Sequence, residues 1–164
     1  VRIAALGHDL LRGLNNERLL GIAADQAFAL DDVERMEPIL LHGPLAVPIL
    51  REQYNVLDAD ILGAAAYHTT GHAGMTRLQK LIFIADKIEP EKRALDAALD
   101  RVAELAETDL DAALLVYLNH HIEVAIETGW PLHRHTVAAR NELLAQRRAA
   151  EGQRNDAQHV DRDR

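Results

Sequence analysis

Four polar constellations interrupt an otherwise apolar chain: His8-Asp9, His42-Gly43-Pro44, His68-Thr69-Thr70-Gly71-His72 and the single carboxylate Asp86. Imidazole and carboxylate donors in a chain with no cysteine suit a hard or borderline divalent cation such as iron, manganese or zinc, and the lack of sulfur argues against copper(I). A cation of that kind activates water and neutralises phosphate oxygens. Adjacent side chains on a helix diverge by about 100°. His8 and Asp9 therefore serve one ion only off a helix shoulder, or with Asp9 bridging two ions. Taken alone, His-Asp is a dipeptide that a surface or capping role explains. His42 alone reads equally as a histidine that satisfies backbone in a tight turn, and His68 to His72 as a polar loop. Four constellations, each closing an apolar helix, are much harder to dismiss together.

The elements that must position them are helical. Asp86 lies in Leu81-Ile82-Phe83-Ile84-Ala85-Asp86-Lys87-Ile88, the most apolar stretch of the chain. A helix from Leu78 to Ile88 is expected to bury Leu81, Ile82 and Ala85 together with Phe83 and Ile84. Burying the Asp86 charge costs several kcal/mol unless a cation or dense hydrogen bonding compensates it. Upstream, Asn15-Asn16 caps a helix through Leu19, Leu20, Ile22 and Ala23. Pro44 sits in the first turn of a helix running to about Tyr54, so His42 stands at a helix N-terminus, a place that favours anions. Asp58 caps a helix whose end delivers His68. Downstream, helical spacing covers Leu95 to Ala106, then Leu110 to Gly129, then a last helix from about Thr136. No stretch alternates as a strand does, so the fold class is all-α.

The composition bounds the function. A chain of 164 residues with 48% hydrophobic content is long enough for one core and short for two domains. With 26 acidic against 18 basic residues and a net charge of -8, it lacks the positive field that DNA requires, whereas a phosphorylated small molecule needs only a local positive site. No segment is apolar enough to span a bilayer and no signal peptide opens the chain, which with the lack of cysteine fits a cytoplasmic protein.

Ala4-Ala5-Leu6-Gly7-His8-Asp9-Leu10-Leu11-Arg12, Leu41-His42-Gly43-Pro44, Tyr67-His68-Thr69-Thr70-Gly71 and Ile84-Ala85-Asp86-Lys87-Ile88-Glu89-Pro90 occur in the order found in HD-domain phosphohydrolases of the YqeK type, which this chain resembles over about residues 1 to 145. The resemblance implies a helical HD-domain bundle around a metal centre, usually iron, with manganese or zinc as alternatives, that hydrolyses diadenosine tetraphosphate symmetrically to two ADP. It implies His8, Asp9 and Asp86 as metal ligands, with Asp9 also orienting the attacking water. His42 and His68 are implied to face the phosphates or a second ion. Arg12, about one helical turn beyond the His-Asp pair, is a candidate to fork onto phosphate, and Thr69, Thr70 and Gly71 are candidates for contacts by hydroxyl and backbone. The implied partner is a dinucleoside polyphosphate, without DNA or membrane, and a homodimer is allowed.

The resemblance also implies a further ligand histidine on a helix that would precede Val1. The chain is therefore expected to begin after that helix, with weakened metal affinity and poor turnover. A different HD-phosphohydrolase specificity and a noncatalytic helical module that binds a nucleotide or protein are the alternatives to the tetraphosphatase reading. Residues 146 to 164 are expected to form a charged, flexible tail. His120, His121, His133 and His135 are expected in core, surface or capping roles.

Overall fold

Short polar side chains open five of the helices by accepting the first free amide hydrogens. The computed structural model describes residues 1–160, with side chains described to residue 153. Helix α1 (Arg2–Gly7) ends at His8. Asn15 accepts from the Arg18 amide to open α2 (Asn16–Asp25), and Asp31 with Glu34 forms a reciprocal capping box at α3 (Asp32–Met36). A 3-10 turn, Pro38–Leu41, leads directly into α4 (His42–Glu52). Asp58 caps α5 (Ala59–Tyr67), and Thr76 with Gln79 forms the capping box of α6 (Arg77–Lys87). Pro90 starts the short α7 (Pro90–Leu95), followed by α8 (Ala98–Ala106). Asp109 caps α9 (Leu110–Thr128), which stops at Gly129 in the left-handed region, φ 72°, where a side chain would be strained. Helix α10 is Arg134–Val160. Among the described residues there is no strand, so the architecture is all-α.

Two apolar cores meet along α5 and α6. Phe83 and Ile84 of α6 pack with Val102, Leu114, Leu118 and Leu143 from α8, α9 and α10. On the other side Leu19, Leu41 and Leu45 form one cluster, and Ala46, Leu50, Leu62 and Ala65 form another, joining α2, α4 and α5. Ile82 of α6 reaches Ala4 of α1 and Ala64 of α5. Each fully buried aliphatic or aromatic side chain in these clusters stabilises the fold by about 1.5–3 kcal/mol. Together they hold the C-terminal ends of α1, α5 and α6 beside the N-terminal end of α4.

One close approach matters for the site. A Cβ on Gly43 would lie 2.6 Å from the Ala65 carbonyl oxygen and 3.3 Å from Cε1 of His68. The lack of a side chain at 43 lets the first turn of α4 sit against the last turn of α5.

The burial pattern of α6 departs from the expectation. Ile82, Phe83, Ile84 and Asp86 are buried, but Leu81 is 38% exposed and Ala85 is exposed as well. Helix α6 is held between α5 and α9, so three consecutive residues face neighbours while 81 and 85, four apart on one stripe, face outward. The helix expected from Leu95 to Ala106 is broken at Asp96, whose side chain accepts from the Ala98 amide and so starts α8 afresh. The charged stretch from Gln146 continues α10 to Val160, and residues 161–164 lie outside the described residues. No described helix is long and apolar enough to cross a membrane.

Candidate metal centre

Three histidines are fixed in the same way. His8 is the C-terminal cap of α1 and His68 that of α5, while His42 follows the 3-10 turn, so each reaches the carbonyl three residues earlier. His8 Nδ1 donates to the Ala5 oxygen at 2.8 Å, His42 Nδ1 to Ile39 at 2.5 Å and His68 Nδ1 to Ala65 at 2.9 Å. These bonds put the proton on Nδ1 and leave each Nε2 with an exposed lone pair, the orientation that metal-ligating histidines adopt.

Those lone pairs converge. His42 Nε2 and His68 Nε2 are 2.8 Å apart, and Asp9 Oδ1 is 3.2 Å from the first and 3.3 Å from the second. Asp9 Oδ2 lies 3.4 Å from His8 Nε2, and Asp86 Oδ1 lies 4.0 Å from the same nitrogen. His8 Nε2 is buried without a hydrogen-bond partner. The rings of His8 and His42 each meet that of His68 edge-on, at 4.8 and 4.7 Å. Two nitrogen lone pairs at 2.8 Å repel unless a positive charge lies against both. A bridging proton is a poor candidate at neutral pH. Burial pushes His68 down to about 4, against the carbonyl bond to Ala65, with the neighbouring His42 lowering it further, and burial likewise lowers His42. A divalent cation fits better. The donor set of nitrogen and carboxylate oxygen suits iron, manganese or zinc, and the residues present therefore fit a bound metal.

Asp86 shows how its buried charge is tolerated. Lys87 Nζ donates to Oδ2 at 2.7 Å, and Lys92 Nζ donates to Oδ1 at 2.6 Å and to the Asp86 carbonyl oxygen at 2.5 Å. Burial raises the Asp86 carboxyl, but these two ammonium groups outweigh it and hold the group well below the usual carboxylate range. Lys87 is itself pushed down by burial, with Asp86 opposing, and lies over the Phe83 ring at 5.1 Å. Sequence reasoning missed both lysines. The available signal was a carboxylate inside an apolar helix with lysines one and six residues on, the second brought back by the turn at Pro90.

Asp9, His42, His68 and Asp86 open on a cleft of about 460 Å³ that Arg12, Thr69, Lys87, Lys92 and Tyr117 also line. Arg12 is exposed at its edge. Thr69 Oγ1 is buried without a partner. Thr70 and Gly71, expected beside the phosphates, face elsewhere. The Thr70 hydroxyl donates to the Gly71 carbonyl, and its own carbonyl accepts from Thr136. Gly71, at φ +62°, turns the chain so closely over Met75, Phe83 and Ala139 that a Cβ would touch all three. That glycine serves the packing of α10 onto α6 and not the cleft. His72 is also outside the centre, bonded through Nε2 to Gln79 and tilted against the Tyr67 ring.

A second cluster has similar composition. His133 Nε2 lies 3.1 Å from Asp31 Oδ2 and 3.8 Å from Glu34 Oε1, and Arg134 Nε lies 3.6 Å from the same Asp31 oxygen. His133 Nδ1, however, accepts the His135 amide at 3.2 Å. The proton of a neutral ring then sits on Nε2, near the carboxylates but without a hydrogen bond to either, and that nitrogen has no lone pair left for a metal. His120 bonds Asp96 at 2.6 Å and His121 stacks on Tyr117, in keeping with the structural roles expected of them.

The HD domain family matches residues 1–91 of the chain. The symmetrical bis(5'-nucleosyl)-tetraphosphatase of Bacillus subtilis is 33% identical over 143 residues, covering 87% of this chain and 75% of that protein. The enzyme of the same name from Halalkalibacterium halodurans is 30% identical over 146 residues, covering 89% and 76%. Among solved structures, an HD superfamily hydrolase from Clostridium acetobutylicum, described as involved in NAD metabolism, superposes with a TM-score of 0.82 at 34% identity over 88% of this chain and 76% of that one.

Proposed function

Because this chain belongs to the HD-domain family of hydrolases, we propose that it cleaves diadenosine tetraphosphate symmetrically into two ADP. The observation that carries the reading is the close approach of two imidazole nitrogens, His42 Nε2 and His68 Nε2, 2.8 Å apart beside Asp9 and His8. His8, Asp9, His42, His68 and Asp86 would hold the metal. When bound, that cation, iron in the first instance with manganese or zinc as alternatives, lowers the pKa of water and offsets charge on phosphate oxygens.

The chain's own groups supply the rest. Asp9, 43% exposed against 8% for Asp86, is the more open of the two ligand carboxylates, and its oxygens also lie beside the buried imidazoles. It would orient a water toward a central phosphorus and accept its proton as the new phosphorus–oxygen bond forms and the bridging anhydride bond breaks. Arg12 at the rim offers a planar fork of donors to the phosphates. Lys92, 42% exposed, can leave Asp86 for a phosphate oxygen, whereas Lys87 is held inside. The expelled group is ADP, and a charged donor beside its terminal oxygen stabilises it as it leaves. Thr69, with an unpaired hydroxyl at the cleft wall, is a further donor for the polyphosphate.

Chromatography of the products after incubation with diadenosine tetraphosphate, with iron or manganese supplied, tests this. Two ADP are expected, and Asp86→Ala or His8→Ala should reduce the rate by at least about 100-fold. Formation of AMP and ATP instead, or undiminished rates in both variants, would sink the proposal.

A further inference from the structure

Next to the metal cleft lies a second hollow of about 280 Å³, with walls from α7, α8 and α9. The two share Lys87, Lys92 and Tyr117, so they are continuous along one side of the molecule. Their chemistry differs. The second is lined chiefly by Leu95, Leu99, Val124 and the rings of Tyr117 and His121, and these two rings are stacked in parallel, 10° between planes and 5.9 Å between centroids. Phe83 braces Tyr117 edge-on from the core at 5.4 Å. Leu95 is 90% exposed and Val124 39% exposed, leaving an apolar mouth. Asp96 is partnered there: one oxygen accepts from the Ala98 amide and the other from His120 Nε2. A flat, apolar-faced group tethered to phosphates is what such a hollow accommodates.

We infer that the hollow between Leu95, Tyr117, His121 and Val124 receives the nucleobase of a bound nucleoside polyphosphate, while Lys92 at the shared wall meets the phosphates between base and metal cleft. The inference rests on the nucleotide-hydrolase reading and extends it by assigning where one nucleoside arm lies. Stacking on Tyr117 and His121 supplies affinity. The base is held by its face against the apolar wall of the hollow.

The test is calorimetric titration of the purified full chain, with its own metal content, against ADP and against inorganic pyrophosphate, which carries the anhydride without a base. ADP is expected to bind about 10-fold more tightly, the order that one base stacked on an aromatic ring contributes. His121→Ala and Val124→Glu should each bring that ratio toward one and leave pyrophosphate affinity unchanged. Val124 is at the exposed rim, so its variant carries the test if loss of His121 disturbs folding. Equal binding of ADP and pyrophosphate by the parent chain, or an unchanged ratio in a folded Val124→Glu variant, overturns the inference. The two readings fail separately. An ADP preference that is lost in the variants, in a protein that does not cleave diadenosine tetraphosphate, upholds the hollow and removes the substrate. Cleavage with an unaltered KM in both variants does the reverse.

Discussion

Two regions of this molecule gather histidine with carboxylates, and a hydrogen bond on the far side of each ring sets them apart. Around Asp9, three imidazoles donate Nδ1–H to carbonyls and turn bare Nε2 atoms inward. Around Asp31, His133 accepts an amide at Nδ1 and keeps its proton on Nε2, facing Asp31 and Glu34. The first arrangement needs a cation; the second has the Arg134 guanidinium beside Asp31. Asp31 shows the same balance, since burial raises its carboxyl but the Glu34 amide, then His133 and Arg134, bring it below its ordinary value. Ligand lists based on residue type and proximity alone do not separate these clusters, and the tautomer does.

The sharpest way to break this contrast is metal analysis of paired variants. His68→Ala is expected to lower metal affinity by more than about 100-fold, since losing only an outer partner of a ligand costs 10–100-fold. His133→Ala should leave the metal content as it was. Equal losses would erase the distinction.

A second probe is pH. In metal-free protein the folded value for His68, about 4, lies below the ordinary 6.5, so the unfolded chain takes up the proton first. Stability should be full above about pH 6.5 and decline by a few kcal/mol as pH falls toward 4. Burial lowers His42 as well and works in the same direction. Urea denaturation at pH 7.5 and pH 5 reads the difference, and a higher midpoint at pH 5 would contradict neutral, lone-pair histidines.

Gly43→Ala tests the geometry without replacing a ligand. Its methyl group would lie 2.6 Å from the Ala65 carbonyl and must push α4 from α5, at a cost of about 1–3 kcal/mol. A lower melting temperature together with reduced metal affinity is expected; a lower melting temperature alone would show that the His42–His68 spacing tolerates movement. The smallest effect belongs to the second cluster. Asp31→Asn keeps an N-cap but removes the charge facing His133, so it should cost no more than about 1 kcal/mol by thermal unfolding and change neither metal content nor turnover.

Much of this was legible in the chain as written. Caps at Asn15, Asp31, Asp58 and Asp109 and the stop at Gly129 mark helix limits because they are local: a side chain or a bare backbone satisfies groups a few residues away. The pairing of His8, Asp9, His42, His68 and Asp86 was suggested by residue type and order. The outward turn of Leu81 and Ala85 was not legible, since it depends on α6 having neighbours on more than one side.

By itself, then, the sequence determined the helices, the lack of sulfur ligands, the acidic balance and a set of metal-capable residues, all properties of composition and of contacts within a turn or two. Only the tertiary structure decided which nitrogen of each histidine is free, that Lys87 and Lys92 compensate Asp86, and that Thr70 and Gly71 serve the core. Those outcomes are fixed by groups that meet across helices: Gly43 against Ala65, the Lys92 ammonium folded back onto Asp86, the Thr136 hydroxyl on the Thr70 carbonyl. A proton's position on a ring or a carboxylate's partner is set by whatever lies within about 3 Å in space, and sequence separation carries no measure of that distance.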